Sequence, residues 1–203
     1  ATLVLSLVAS AITGARSGPV HERLATQWQR PDAANSLRCA LVLLSEHELN
    51  ASTFAARVTA STGAPLAAAV LSGLAALSGP LHGTASLSMG VLVRDAKRHG
   101  VEAAVSSLLR QGRPLPCFGH RLYPDGDARA VHLMGSMPVP PLFTALAEAG
   151  MAQSGEKPNI DFALAALTVA YGLPKDAPLQ LFTLARSVGW IAHALEQNET
   201  GAL

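Results

Sequence analysis

Aromatic side chains are scarce in this chain of 203 residues, at 4%. A β-sandwich relies on aromatic and β-branched residues in its half-buried strands, so the scarcity argues against one. Ala and Leu make up about a third of the residues, and both favour helices that pack closely through small side chains. An excess of one charge is also lacking: Lys plus Arg number 15, Asp plus Glu 14, and the formal net charge is +1. A dedicated nucleic-acid binder shows a basic stripe, so no nucleic-acid partner is expected. The two cysteines, Cys39 and Cys117, exclude a disulfide-rich scaffold and a four-cysteine zinc site, and read as reduced thiols of a cytoplasmic protein. No apolar run approaches the roughly 20 residues that span a bilayer, so no membrane partner is expected. The apolar start, Ala1 to Ile12, is too short and is followed by Arg16 rather than preceded by a basic segment; it reads as a core helix. Missing as well are GxGxxG, GxxxxGK and GxSxG, and with them the usual dinucleotide, phosphate and nucleophile-elbow signatures. His47-Glu48 opens like a helical zinc-protease motif, but Ala51 stands where the second ligand is needed, so no metal site is expected.

Glycine and proline cut the chain into helix-length pieces. Helices are expected at 2–14, 19–29, from an N-cap at Asp32 to Leu44, at 51–62, from Pro65 to Gly79, at 84–99 and at 101–111. The stretch from Arg113 to Asp127 carries three prolines and no helical period, which predicts a long loop of the kind that is often functional. Helical signals resume at 127–134, 140–153, 160–171 and 177–197. The expected class is all-α, with about ten helices and no repeat.

Chemistry is concentrated in histidines at turns. His82 lies in Gly79-Pro80-Leu81-His82-Gly83, His120 in Phe118-Gly119-His120-Arg121, and His47 in HELNAST at 47–53. Asp161 opens a helix in Pro158-Asn159-Ile160-Asp161. Each has a plain reading by itself: a first-turn Asp serves the helix dipole, and a turn His can bond its own backbone. Together with FGHRLY at 118–123 continuing to Asp127-Ala128-Arg129, and LARSVGWIAHALEQ at 184–197, these motifs occur in the order and spacing of the citrate synthase family, which the chain resembles over roughly residues 36–200.

The resemblance implies an all-α fold with a large domain (1–83 and 173–203) and a small domain (84–172) whose cleft closes on substrate. It also implies condensation of acetyl-CoA, or another short acyl-CoA, with oxaloacetate. Coenzyme A thioester is then a co-substrate, and no cofactor is permanently bound. Asp161 matches the base that takes the α-proton of the thioester. His82 matches the donor to the enol oxygen, and His120 the residue that polarises the ketone and protonates the new alkoxide. Removing so weakly acidic a proton needs such a carboxylate with an electrophilic donor opposite. His82, just before a predicted helix, is expected to be neutral because a helix N-terminus disfavours the imidazolium. His47, Arg129 and Arg186 match the substrate-binding positions. A guanidinium is charged and can fork onto a carboxylate, and Arg186 lies among Leu184, Ala185, Val188 and Trp190, where an unpaired charge is costly. Leu115, Pro116, Cys117, Phe118 and Gly119 match the segment that wraps the adenine end of coenzyme A.

The chain departs from the family pattern in three places. Thr84, Ala85 and Ser86 follow Gly83 where the family has Gly and then Ala-Asn; Ala128 replaces the Pro between Asp127 and Arg129; and the chain stops at Leu203, before a further substrate-binding Arg. The start at Ala1 and the short length are those of a fragment or a short branch. These departures keep open a citrate-synthase-like binding or regulatory domain without turnover, a 2-methylcitrate synthase, a citryl-CoA-cleaving activity, and a purely structural bundle. A homodimer is expected, because residues 65–78 carry no charge and a helix apolar all round must be buried on all sides; the alternative is a central helix of the chain's own core.

Overall fold

The computed structural model describes residues 1–45, 48–79, 82 and 85–201. Among them the chain forms α1 (Thr2–Thr13), α2 (Val20–Gln27), α3 (Ala34–Leu44), α4 (Ala51–Ser61), α5 (Leu66–Leu77), α6 (Ala85–His99), α7 (Val101–Arg110), α8 (Ala128–Gly135), α9 (Pro141–Ser154), α10 (Ile160–Tyr171) and α11 (Ala177–Thr200). No strand occurs among the described residues, only an isolated bridge between Phe118 and Pro158. The all-α expectation therefore holds, with one α-helix in each of the eleven expected segments. No helix among the described residues is long and apolar enough to cross a membrane.

Local chemistry accounts for most of the helix ends. Asn50, Asp127 and Asn159 cap α4, α8 and α10 by accepting backbone N–H groups of the first turn. Asp32 is a correction. Residues Pro31–Ala33 form a short 3-10 turn, and α3 starts after Ala33 without a side-chain cap. The Asp32 carboxylate faces Arg30 instead, at 3.0 and 2.7 Å, a fork with the residue that precedes the turn.

The chain divides into two compact units, Ala1–Thr84 with Leu179–Leu203, and Ala85–Pro178. In the first, α4 and α5 run against each other and α11 packs on them. Trp190 of α11 is fully buried, and its ring lies so close to α5 that a Cβ at Gly73 would stand 2.6 Å from it. In the second, Met89, Leu92, Val105, Phe143, Leu146 and Phe162 form the core. Phe162 meets Phe118 and Phe143 edge-on, at 5.3 and 5.4 Å.

Helix α5 is not a central core helix. Ala69, Val70, Gly73 and Leu77 are buried, but Leu71 is 65% and Leu74 37% exposed. Phe54 and Val58 of α4 are exposed as well.

The contact at Gly73 has a measurable consequence. Ala in place of Gly inside a helix ordinarily stabilises by roughly 0.5–1 kcal/mol. Here we expect Gly73→Ala to destabilise by about 1–3 kcal/mol through overpacking against Trp190, read as a lower urea midpoint; a raised midpoint would show that the ring has room.

Candidate functional site

In the first unit the site is built on a buried hydroxyl. Ser52, in the first turn of α4, is completely buried. Its Oγ accepts from Trp190 Nε1 at 3.1 Å and lies 2.9 Å from Asn50 Oδ1 and 3.0 Å from His82 Nε2. His82 is half-buried and stands edge-on to Phe182 at 6.4 Å. Burial, and then the Arg186 charge, push its imidazole below the ordinary value. His82 is thus favoured as a neutral group, as expected, but the causes are desolvation and a neighbouring cation rather than a helix N-terminus. Arg186 has no exposed surface. Its Nε donates to the Leu44 carbonyl at 3.0 Å, and its guanidinium lies 4.9 Å over the Phe182 ring, a contact that favours a cation in an apolar setting.

In the second unit the expected loop between α7 and α8 is present and tied down at both ends of its functional part. Asn159 N donates to the Cys117 carbonyl, Gly119 N to the Lys157 carbonyl, and Asn159 Nδ2 to the Gly119 carbonyl. Phe118 anchors the loop against α9 so tightly that a Cβ at Gly150 would stand 2.4 Å from its ring. His120 follows. Its Nδ1 accepts the Leu122 N–H at 3.1 Å, which leaves the proton of a neutral ring on Nε2. Burial and then Arg129 lower its pKa, while Asp127 opposes them. The Tyr123 ring lies 4.9 Å from His120 on one hand and 4.9 Å from the Arg129 guanidinium on the other. Arg129 forks onto Asp127 through Nε at 2.9 Å and Nη2 at 2.8 Å. Asp161 sits in the first turn of α10 with its N–H on the Asn159 cap.

The structure thus brings His82 and Arg186 together in one unit, and His120 and Arg129 in the other. Asp161 is near enough to Cys117 that its charge joins burial in pushing that thiol well up. His47 lies outside the described residues. Of the segment expected to meet coenzyme A, Leu115, Phe118 and Gly119 line a cavity of about 430 Å³ with His120 and Arg121; Pro116 lines a neighbouring cavity of about 290 Å³ with Arg113. Cys117 is buried. Among the described residues no cluster of His, Cys, Asp or Glu could hold a metal ion.

Two residues with central positions carried no assigned role in the sequence reading, Ser52 and Asp127. Both stand inside the quoted motifs. Asp127 announces itself only as a helix cap two residues before an Arg, a pattern that many exposed helices share.

Stability should follow the two histidines. Each has a folded-state pKa below its unfolded value of about 6.5, so its contribution is present above that pH and is lost as pH falls through the folded value. We expect the urea midpoint to drop on going from about pH 7.5 to about pH 5, and to drop less in His82→Gln and in His120→Gln than in the unchanged protein. Equal drops in all three would remove both histidines as the cause.

Comparison with known proteins points to one family. The family described as citrate synthase, C-terminal domain, matches residues 8–203. A putative citrate synthase 2 of Mycobacterium tuberculosis is 34% identical over 91% of this chain and 54% of its own length. A 2-methylcitrate synthase 1 of Corynebacterium glutamicum is 36% identical over 80% of this chain and 46% of its own. Among solved structures, the ternary complex of carboxymethyl coenzyme A and oxaloacetate with citrate synthase from Thermoplasma acidophilum superposes with a TM-score of 0.77 at 26% identity, covering 97% of this chain and 60% of that one. The chain spans about half the length of the curated relatives it matches. With this match across nearly all its residues, the chain belongs to the citrate synthase family, in its C-terminal domain.

Proposed function

We propose that the full-length protein is an acyltransferase that condenses acetyl-CoA with oxaloacetate to citrate and free coenzyme A. The observation that supports this most directly is the pair of histidine environments. His120 presents its proton on Nε2, and His82 is a half-buried imidazole backed by a buried hydroxyl. Two neutral hydrogen-bond donors are what an enol and a ketone oxygen require, since an imidazolium would simply surrender its proton.

The Asp161 carboxylate takes a proton from the methyl carbon of the thioester. His82 donates to the thioester oxygen, so the enolate is never a free charge. The enol carbon then attacks the ketone carbon of oxaloacetate, and His120 supplies the proton to the new alkoxide. Water cleaves the resulting citryl thioester, releasing coenzyme A. His47, Arg129 and Arg186 hold the carboxylates of oxaloacetate, and Leu115 to Gly119 meet the adenine end of coenzyme A largely through backbone groups. The large-and-small domain organisation, a cytoplasmic location and a place in the tricarboxylic acid cycle belong to this reading.

A 2-methylcitrate synthase is the second reading, favoured by the Corynebacterium relative. Propionyl-CoA adds one methylene, worth only about 1–3 kcal/mol of discrimination in an apolar pocket. Thiol release by the full-length protein with each thioester, with and without oxaloacetate, distinguishes the two. A binding domain without turnover would release none. Asp161→Asn keeps the shape of the side chain and loses the acceptor. We expect turnover to fall by at least about 10²-fold with substrate binding nearly unchanged; turnover at the unchanged rate would remove Asp161 as the base.

A homodimer is part of the same proposal. Leu71 and Leu74 of α5, and Phe54 and Val58 of α4, are exposed apolar side chains of the kind a symmetric partner would cover. Leu71→Glu should dissociate the dimer without unfolding it, read by sedimentation and circular dichroism. A variant that retains the dimer mass would move the contact elsewhere.

A further inference from the structure

The carboxylate of Asp127 is 98% removed from solvent by its 2% exposure, and it accepts four hydrogen bonds. Oδ1 takes the Arg129 backbone N–H at 3.1 Å and Arg129 Nε at 2.9 Å. Oδ2 takes Arg129 Nη2 at 2.8 Å and the Ile160 backbone N–H at 2.9 Å. Burial would raise this carboxyl, but the hydrogen bond and charge of Arg129 and the two backbone donors outweigh it and hold it below the usual carboxylate range. A buried charge with all its lone pairs used in this way is not a surface ion pair. Breaking it leaves donors or a charge stranded in a dry place.

The arrangement determines what Arg129 can still do. Its Nε and Nη2 edge is occupied, and its side chain is only 11% exposed. Nη1 is buried and has no hydrogen-bond partner among the described residues. The Tyr123 ring covers the guanidinium at 4.9 Å, which restrains it further. The same carboxylate holds Ile160, whose neighbour is Asp161. One side chain therefore sets the orientation of the cation and pins the helix turn that carries the carboxylate base.

We propose that Asp127 is a positioning residue that holds the Nε/Nη2 edge of Arg129, so that the guanidinium meets the oxaloacetate carboxylate with its Nη1/Nη2 end. The inference rests on the condensation reading above and adds a residue and a binding mode to it. The physical reason is that a guanidinium forked side-on through Nε and Nη2 keeps only its Nη1/Nη2 end for a second carboxylate, so the residue that takes the side edge decides which way the other end faces.

The test uses the full-length protein and follows both substrates. Asp127→Asn keeps the shape but sets an amide donor against Arg129 Nη2 or the Ile160 N–H. We expect the oxaloacetate KM to rise at least about tenfold and kcat to fall, with the acyl-CoA KM within about twofold of the unchanged protein. A general loss of structure would move both KM values together, and that result would overturn the proposal. Combining the change with Arg129→Gln separates the routes: because Asp127 acts through Arg129, the double variant should bind oxaloacetate no worse than Arg129→Gln alone, whereas additive losses would overturn it. A crystal structure of the unchanged protein with oxaloacetate needs no variant. A substrate carboxylate on the Nη1/Nη2 end, with the Asp127 fork kept, supports the proposal; an Arg129 released from Asp127 and turned with its Nε edge onto the substrate overturns it. If the unchanged protein neither binds nor condenses oxaloacetate, the functional reading itself fails. If it does both and Asp127→Asn matches it, only the role of Asp127 fails.

Discussion

A buried charge must be neutralised where it stands, and in the second unit the ion pair of Asp127 with Arg129 does this. The pair joins the end of the α7–α8 loop to the start of α10. His120, Tyr123 and Asp161 lie on the elements it joins. A buried pair of this kind contributes little net stability, because desolvation cancels most of the attraction. Its value is geometric: the two charges cannot be satisfied in another arrangement, so the loop has one conformation in which they are.

The first unit solves the same problem with a hydroxyl. Ser52 has no exposed surface and stands among an indole N–H, an imidazole nitrogen and an amide oxygen. Trp190 can reach it because Gly73 lets the indole lie against α5. Packing of small residues and placement of a functional group are therefore one property here. A larger side chain at Gly73 would push the ring and, through Ser52, the hydrogen bond to His82. The composition that marked the chain as helical also permits this close approach.

Arg186 and Arg129 illustrate two ways of keeping a cation in an apolar setting. Arg186 uses a backbone carbonyl and the face of Phe182, and its positive charge is felt by His82. Arg129 uses a carboxylate and the face of Tyr123. Residue type alone made the two arginines equivalent; their surroundings set one against a carbonyl and a ring and make the other half of an ion pair with Asp127.

Fold class and helix order were legible in the residues, because Gly, Pro and Asn punctuate the chain through local backbone chemistry that needs no tertiary context. The same holds for the long loop after Gly112, and for the histidines, which stand out by their turn positions. Asp32 shows the limit of this reasoning: a local cap signal lost to Arg30, a competing partner two residues away. Helix α5 shows another, since an uncharged sequence cannot say which of its faces is covered, and Leu71 proved to be outside. Ser52 and Asp127 were within quoted motifs yet mute, because their importance lies in donors contributed from positions as distant as Trp190 and Ile160. By itself the sequence determined the helices, their ends and the kinds of group available for chemistry, all of which depend on neighbours within a turn or two. Only the tertiary structure decided why His82 is neutral and what covers the guanidinium of Arg186, because both depend on burial and on partners brought together by folding.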